Sequence, residues 1–199
     1  MQTFLKMCSS LLVLLALCSH GFAQDVAPGY EFPATQGVSK LEYPSPNGKW
    51  LIRVIDPGQG EDGIHLYRLI LTDRLGAELG SFDFMRSIDA SWSKSGEELI
   101  INDYTGSNIS DCLYSRKYGD KIYLSRISED LNDVPFFDEN GNAFDVLGKI
   151  INTSHFYIKC ESRFDQKIVV SLSGRLDPNE EFDYKFSYDL VGRRFSILR

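Results

Sequence analysis

The stretch that decides the fold class is Ser45-Pro46-Asn47-Gly48-Lys49-Trp50-Leu51-Ile52-Arg53-Val54-Ile55. Its first five residues predict a tight turn, because proline presets φ and the Asn-Gly pair tolerates a positive φ. The six residues that follow are mostly aromatic or β-branched, which is typical of a strand. A turn that runs directly into such a strand indicates antiparallel β-structure.

The same pattern returns along the chain. A second turn, Ser93-Lys94-Ser95-Gly96-Glu97, begins 48 residues after Ser45 and leads into the apolar run Leu99 to Ile101. A fainter third copy is the turn Arg163 to Lys167, which leads into the strand-like segment Ile168 to Leu172. Repeats of about this size, each a small meander of strands, are typical of propeller blades.

These repeats predict a mainly β fold of antiparallel meanders that resembles an incomplete propeller or a β-sandwich, with a short helical insert. The expected single β domain spans residues 41–199 and comprises three meander units, 41–89, 90–125 and 155–199, with the insert at 126–154. Two short helical segments are expected in that insert. One is a single turn at Ser128-Glu129-Asp130-Leu131, and the other spans 142–152, where the spacing of Phe144, Leu147, Ile150 and Ile151 indicates one apolar helix face.

The turns resemble the WD40-like repeats of TolB-type periplasmic propellers, whose consensus turn is close to Ser-Pro-Asp-Gly-Lys. The turn Ser45 to Lys49 matches with Asn for Asp, and Ser93 to Glu97, preceded by Trp92, matches with Lys for Pro and Ser for Asp. The resemblance covers about half of the mature chain. It implies binding to other macromolecules and carries over no catalytic residue. A closed propeller needs at least ~4 blades, so three uneven units leave a partial propeller and a sandwich of meanders as alternatives.

The N-terminus predicts export. Lys6 precedes the short apolar run Leu11 to Leu17, and the small residues Gly21 and Ala23 precede Gln24, which is the pattern of a signal peptide over residues 1–23. The apolar run is shorter than the ~20 residues that cross a bilayer. Residues 24–40, rich in Pro and Gly, are expected to form an extended arm. The expected location is periplasmic or secreted.

The charge of the chain narrows the classes of partner. The whole chain has a formal net charge of −7, and it becomes one unit more negative once Lys6 leaves with the signal peptide. An acidic surface repels phosphate backbones, so nucleic acid is not an expected partner. No later stretch is long and apolar enough to span a membrane, so no membrane span is expected after signal cleavage. The expected partner is another exported protein.

Two cysteines remain after cleavage of the signal peptide, Cys112 and Cys160. In an oxidising compartment such a pair favours one disulfide. The alternative is two buried free thiols that act as small apolar side chains.

The sequence contains no motif that indicates catalysis, a metal or a cofactor. His65 and His155 are the histidines of the mature chain, and their separation does not give the local clustering of a zinc site. A serine hydrolase of the Gly-x-Ser-x-Gly type would need a motif that the sequence lacks. A secreted hydrolase whose carboxylates converge only in the folded state remains the alternative function.

The densest polar cluster near a strand end lies between Ile101 and Cys112. Loops of this composition often carry function. We therefore hypothesise an exported, non-catalytic binding or interaction protein. Its candidate binding residues are Asn102, Asp103, Tyr104, Ser107, Asn108 and Asp111.

Overall fold

The structure is a computed structural model that describes residues 30–33, 40–60, 63–119, 121–138, 140–143, 155–164, 166–177 and 180–198. The predicted signal peptide, residues 1–23, lies outside these ranges. So does most of the predicted arm, residues 24–40, and residues 144–152 of the second predicted helix.

The chain is mainly β, as the sequence predicts. The strands are β1 (Tyr30–Pro33), β2 (Lys40–Pro44), β3 (Trp50–Gln59), β4 (His65–Asp73), β5 (Glu78–Phe84), β6 (Ser87–Trp92), β7 (Leu99–Tyr104), β8 (Ile109–Tyr118), β9 (Lys121–Arg126), β10 (Phe136–Phe137), β11 (His155–Phe164), β12 (Lys167–Asp177), β13 (Glu180–Asp189) and β14 (Arg194–Leu198). One helix, α1 (Ile127–Asp133), interrupts the strands of the described chain and contains the predicted turn at 128–131.

Consecutive strands form three antiparallel meanders within the described residues. The first meander, β2-β3-β4-β5, is a separate four-stranded sheet. The second, β6-β7-β8-β9, and the third, β11-β12-β13-β14, belong to one ten-stranded sheet that also includes β1 and β10. The second and third meanders are joined by a short parallel pairing, in which Ile109 and Ser110 of β8 lie beside Phe156 and Tyr157 of β11. The pairing of β10 with β14 is also parallel, so the ten-stranded sheet is mixed.

The second meander lies between the other two. Leu99, Ile101 and Leu113 pack against the first meander, in a core that also contains Trp50 and Trp92. The alternate residues on the same strands point the other way, and they belong to a second core formed with the third meander and α1: Ile100, Cys112 and Tyr114. Burial of both faces explains why β7 begins with a continuous apolar run rather than an alternating one.

The turns at Ser45 and Ser93 have the same hydrogen bonds. The N–H of Ser45 donates to the carbonyl oxygen of Trp50 at 2.9 Å, and the N–H of Ser93 donates to that of Glu98 at 2.9 Å. In each turn the glycine donates to the carbonyl oxygen of the serine, at 2.9 Å, and has a positive φ, 67° for Gly48 and 69° for Gly96. The two segments are therefore equivalent turns, each of which connects the first two strands of its meander.

Two strands reach beyond what the sequence predicts. Strand β3 continues past its predicted end at Ile55 as far as Gln59. It can include Pro57 because a bulge between Ile55 and Gly58 places the proline where no ladder hydrogen bond is needed. The residues of β1, Tyr30 to Pro33, come from the predicted arm and pair with β6 from Ala90 to Ser87. Part of the arm thus extends the sheet of the second meander.

The insert after β9 is anchored to the second core. Ile127 and Leu131 of α1 are buried there, and the hydroxyl of Tyr114 donates to Asp130 Oδ2 at 2.5 Å. After the helix, Phe136 of β10 stacks on Phe195 of β14 with 4.6 Å between the ring centroids. The part of the insert that the structure describes therefore covers the free edge of the third meander.

Candidate functional site

The β7–β8 loop, residues 105–108, is the centre of the candidate site. It is held by its own backbone and by β11. Gly106 N–H donates to the carbonyl oxygen of Ile109 at 3.1 Å, and Phe156 N–H donates to that of Asn108 at 2.9 Å. The hydroxyl of Tyr157 donates to the carbonyl oxygen of Ser107 at 2.8 Å. The loop is therefore fixed by the strand of the third meander that lies beside it.

A groove of about 540 Å³ lies next to this loop. Three connections form its walls: the end of the β3–β4 loop, the β5–β6 turn and the β7–β8 loop. We call it the end groove, and its lining residues are Ile64, His65, Met85, Arg86, Thr105, Gly106, Ser107, Asn108 and Ile109. This volume lies within the ~300–1,000 Å³ that ligand pockets commonly have.

The end groove combines exposed apolar side chains with a small number of polar groups. Ile64 is 44% exposed, Met85 40% and Ile109, the first residue of β8, 57%, and each lies in or next to a different connection. The ring of His65 is oriented by Asp56, with 2.7 Å between Nε2 and Oδ1. Since an ionised carboxylate only accepts hydrogen bonds, Nε2 carries the proton and donates it.

Of the predicted binding residues, Ser107 and Asn108 are exposed and line the end groove. Tyr104 is half-buried, and its hydroxyl donates to Asp89 Oδ2 at 2.5 Å. The other three predicted residues are buried: Asn102, Asp103 and Asp111.

Asn102 connects the second meander to the third. Its side-chain Nδ2 donates to the carbonyl oxygen of Cys160 at 3.1 Å, and its Oδ1 accepts the N–H of Cys160 at 2.8 Å. The amide therefore satisfies both backbone groups of a buried residue on β11.

Cys160 is also half of the predicted disulfide, which the structure contains. Cys112 of β8 and Cys160 of β11 are bonded, with 5.8 Å between their Cα atoms, and both are buried. The disulfide and the Asn102 amide thus fasten the two meanders at the same place.

Asp103 and Asp111 lie directly opposite each other on β7 and β8. Asp111 accepts hydrogen bonds from the backbone N–H of Ser128 at 3.2 Å and from its hydroxyl at 2.6 Å. Arg126 reaches both carboxylates, at 3.2 Å from Asp111 Oδ2 and 3.7 Å from Asp103 Oδ2. Burial raises the pKa of Asp103, and the hydrogen bond from Thr105 and the charge of Arg126 oppose that shift. The pair thus joins β7 and β8 to the start of α1.

Sequence reasoning missed seven of the nine described residues that line the end groove, and two of the seven, Thr105 and Gly106, lie in the β7–β8 loop itself. Ile64, His65 and Ile109 stand at or beside strand starts, and Met85 and Arg86 form the turn between β5 and β6. The available signal is a large apolar residue at a connection instead of inside a strand. That signal is weak at any single position, because scattered exposed apolar residues are normal.

Comparison with known proteins finds no matching family model, no matching curated protein and no matching solved structure. In the described ranges, no group of three or more His, Cys, Asp or Glu side chains is arranged to hold a metal ion. Among the described helices, none has the length and apolar character needed to cross a bilayer.

Proposed function

We propose that the protein is an exported, non-catalytic binding protein that holds a segment of another exported protein in the end groove. The observation that carries this proposal is the convergence of Ile64, Met85 and Ile109, exposed side chains in or next to three different connections, on one concave surface. Clustered exposed apolar side chains are typical of interaction sites, whereas single ones are not. Burying three such half-exposed side chains would contribute about 2–4 kcal/mol.

The polar groups of the end groove suit a polypeptide. The side chains of Ser107 and Asn108 are exposed at the rim, where they can bind peptide N–H and carbonyl groups. Met85 adds a flexible thioether that adapts to side chains of different shape. Because β11 holds the β7–β8 loop in place, binding of a segment costs little conformational entropy in the loop.

The described contacts favour binding over hydrolysis. Asp103 and Asp111 are opposed carboxylates, as a glycosidase would need. However, Asp111 already accepts a hydrogen bond from Ser128 and forms an ion pair with Arg126. Neither carboxylate is among the described residues that line the end groove. Their arrangement fits a structural role at the start of α1.

Two other depressions are less suited to a partner. The one beside Arg175, of about 510 Å³, has its cation paired with Glu181 at 2.6 Å. The one beside Lys117 and Arg163, of about 290 Å³, has cations paired with Glu97 at 3.1 Å and Glu98 at 3.5 Å. Because these cations are already paired with carboxylates, they attract an anionic ligand less strongly than unpaired cations would.

Export is supported by the signal-peptide pattern and by the disulfide, because disulfides persist in oxidising compartments. The repeated turns at Ser45 and Ser93 support a WD40-like origin for the first two meanders. N-terminal sequencing of the exported protein tests the first point. We expect a mature N-terminus at Gln24, and a retained Met1 on the exported form would contradict it.

Photo-crosslinking tests the binding function. A photoreactive amino acid replaces Ile109 in the full-length protein, and in a control it replaces Leu75, which is 87% exposed on the β4–β5 turn. Since Leu75 is at the far end of β4 from Ile64, it samples the opposite end of the first meander. We expect a discrete adduct with a second exported protein from position 109 and none from position 75. Equal adducts, or none from 109, would overturn the proposal.

A further inference from the structure

We infer that the segment held in the end groove carries an acidic side chain next to its apolar residues, and that Arg86 binds its carboxylate. This inference rests on the proposed binding function and specifies the chemistry of the partner.

The lining of the end groove has a charge opposite to that of the whole chain. The chain contains 28 acidic and 21 basic residues. Nevertheless, among the lining residues that the structure describes, the ionisable ones are His65 and Arg86, and no Asp or Glu is among them. The positive charge of Arg86 in this lining attracts acidic groups.

Arg86 is available for a partner. Most described arginines are paired with a carboxylate: Arg68 with Asp83 at 2.6 Å and Arg175 with Glu181 at 2.6 Å are typical. Arg86 is exposed and makes no ion pair or side-chain hydrogen bond with any described residue. A guanidinium can bind a carboxylate through two parallel hydrogen bonds, so it also fixes the orientation of the acidic side chain.

The carboxylate that contacts His65, the histidine of the groove, is Asp56, and it is already engaged. Asp56 Oδ1 accepts from His65 Nε2 at 2.7 Å and from the N–H of Gly58 at 2.8 Å. The ring therefore presents Nδ1, which in the neutral form accepts a hydrogen bond such as a peptide N–H. The exposed side-chain amide of Asn108 makes no hydrogen bond with the described residues and can therefore bond to a peptide group of the partner. These groups suit an extended peptide whose apolar side chains contact Ile64, Met85 and Ile109.

A displayed random-peptide library tests the inference, with the full mature protein as bait. The baits are the wild type, Arg86→Glu, Ile109→Asp and the control Arg74→Glu. Arg74 is an exposed arginine on the β4–β5 turn, so its charge reversal matches that of Arg86 outside the groove. We expect the wild type and Arg74→Glu to enrich peptides with Asp or Glu beside an apolar residue. We expect Arg86→Glu to enrich Lys or Arg instead, and to bind the wild-type peptides about tenfold more weakly.

The other outcomes separate this inference from the proposed function. Peptides that depend on Ile109 but show no acidic preference would overturn the inference and leave the binding function standing. Peptides that bind Ile109→Asp as well as the wild type would place their site elsewhere, which overturns the inference. Selection of no peptide would also overturn it, because the groove would then not hold an extended segment; the crosslinking experiment decides the binding function independently.

Discussion

The side-chain amide of Asn47 donates a hydrogen bond of 2.8 Å to the backbone carbonyl oxygen of Ser95. These residues occupy the same position in the two equivalent turns, so the turns that begin the first and second meanders touch each other. An ion pair between Lys49 and Glu97 lies at the same contact, and Lys117 binds the other oxygen of Glu97 at 3.1 Å. The hydrogen bond from Lys49 lowers the pKa of Glu97, burial opposes this shift, and Lys117 adds to it.

This contact predicts that two matched glycines differ in their tolerance of a side chain. Gly48 and Gly96 both have a positive φ, so alanine at either position should cost about 1–2 kcal/mol of backbone strain. A Cβ on Gly96 would also lie 2.8 Å from Asn47 Cγ, whereas one on Gly48 would have no atom within 4 Å. We expect Gly96→Ala to lower the free energy of unfolding by about 1–3 kcal/mol more than Gly48→Ala. Urea unfolding measures both, and equal losses would show that the turns do not pack as described.

Trp92 predicts a large core contribution. It ends β6, is fully buried and belongs to the core between the first two meanders. Trp92→Ala should lower the free energy of unfolding by about 3–5 kcal/mol. The control Leu75→Ala, at an exposed turn, should change it by less than about 0.5 kcal/mol. Chemical denaturation compares them, and an unchanged midpoint for Trp92→Ala would contradict the packing.

Two asparagines of the predicted binding cluster should behave differently. Asn102→Ala leaves the buried N–H and carbonyl groups of Cys160 without their side-chain partner, so we expect a loss of about 2–3 kcal/mol. Asn108 is exposed, and Asn108→Ala should change stability by less than about 0.5 kcal/mol while weakening the binding of a groove peptide. Thermal unfolding and peptide binding of each variant make the comparison. Similar stability losses would mean that Asn108 is structural as well.

The disulfide should be both protected and stabilising. Its cysteines are 48 residues apart, and for a loop of that length the chain-entropy model gives about 4 kcal/mol. Replacing both Cys112 and Cys160 by Ala should remove up to about that amount. Because both residues are buried, thiol labelling after mild reductant should be slow in native buffer and fast in denaturant. Fast labelling in native buffer would show that the junction of the second and third meanders opens readily.

Asp103 predicts a pH-dependent stability of definite sign. Burial raises its pKa in the folded state. Between the unfolded and folded pKa values the folded state therefore binds more protons, and this group makes the protein less stable as pH rises through that window. Asp103→Asn, which stays neutral, should be more stable than the wild type at neutral pH, and the difference should shrink as pH falls. Unfolding curves across acid to neutral pH test this, and a variant less stable at neutral pH would contradict it.

Local chemistry explains what the sequence could predict. The turn Ser45 to Lys49 and its copy at Ser93 are encoded by adjacent residues, and the strand after each turn is visible as an apolar run. The pairing of Cys112 with Cys160 could be predicted because they are the two cysteines left after signal cleavage and the expected compartment is oxidising. The end groove was not predictable in the same way, because Ile64, Met85 and Ile109 come together only through the stacking of the meanders. Similarly, nothing near Asn102 in sequence indicates that it bonds to a backbone 58 residues away.

Because the second meander is buried on both faces, one of its faces stays uncovered until synthesis of the chain is finished. Synthesis starts at the N-terminus, so the first two meanders can stack while the third is still being made. During that interval Ile100, Cys112 and Tyr114 face water, and the Cys112 thiol has no partner. Arrival of β11 covers the apolar face and supplies Cys160. A chain that ends before the third meander would therefore expose this apolar face and a free Cys112 thiol.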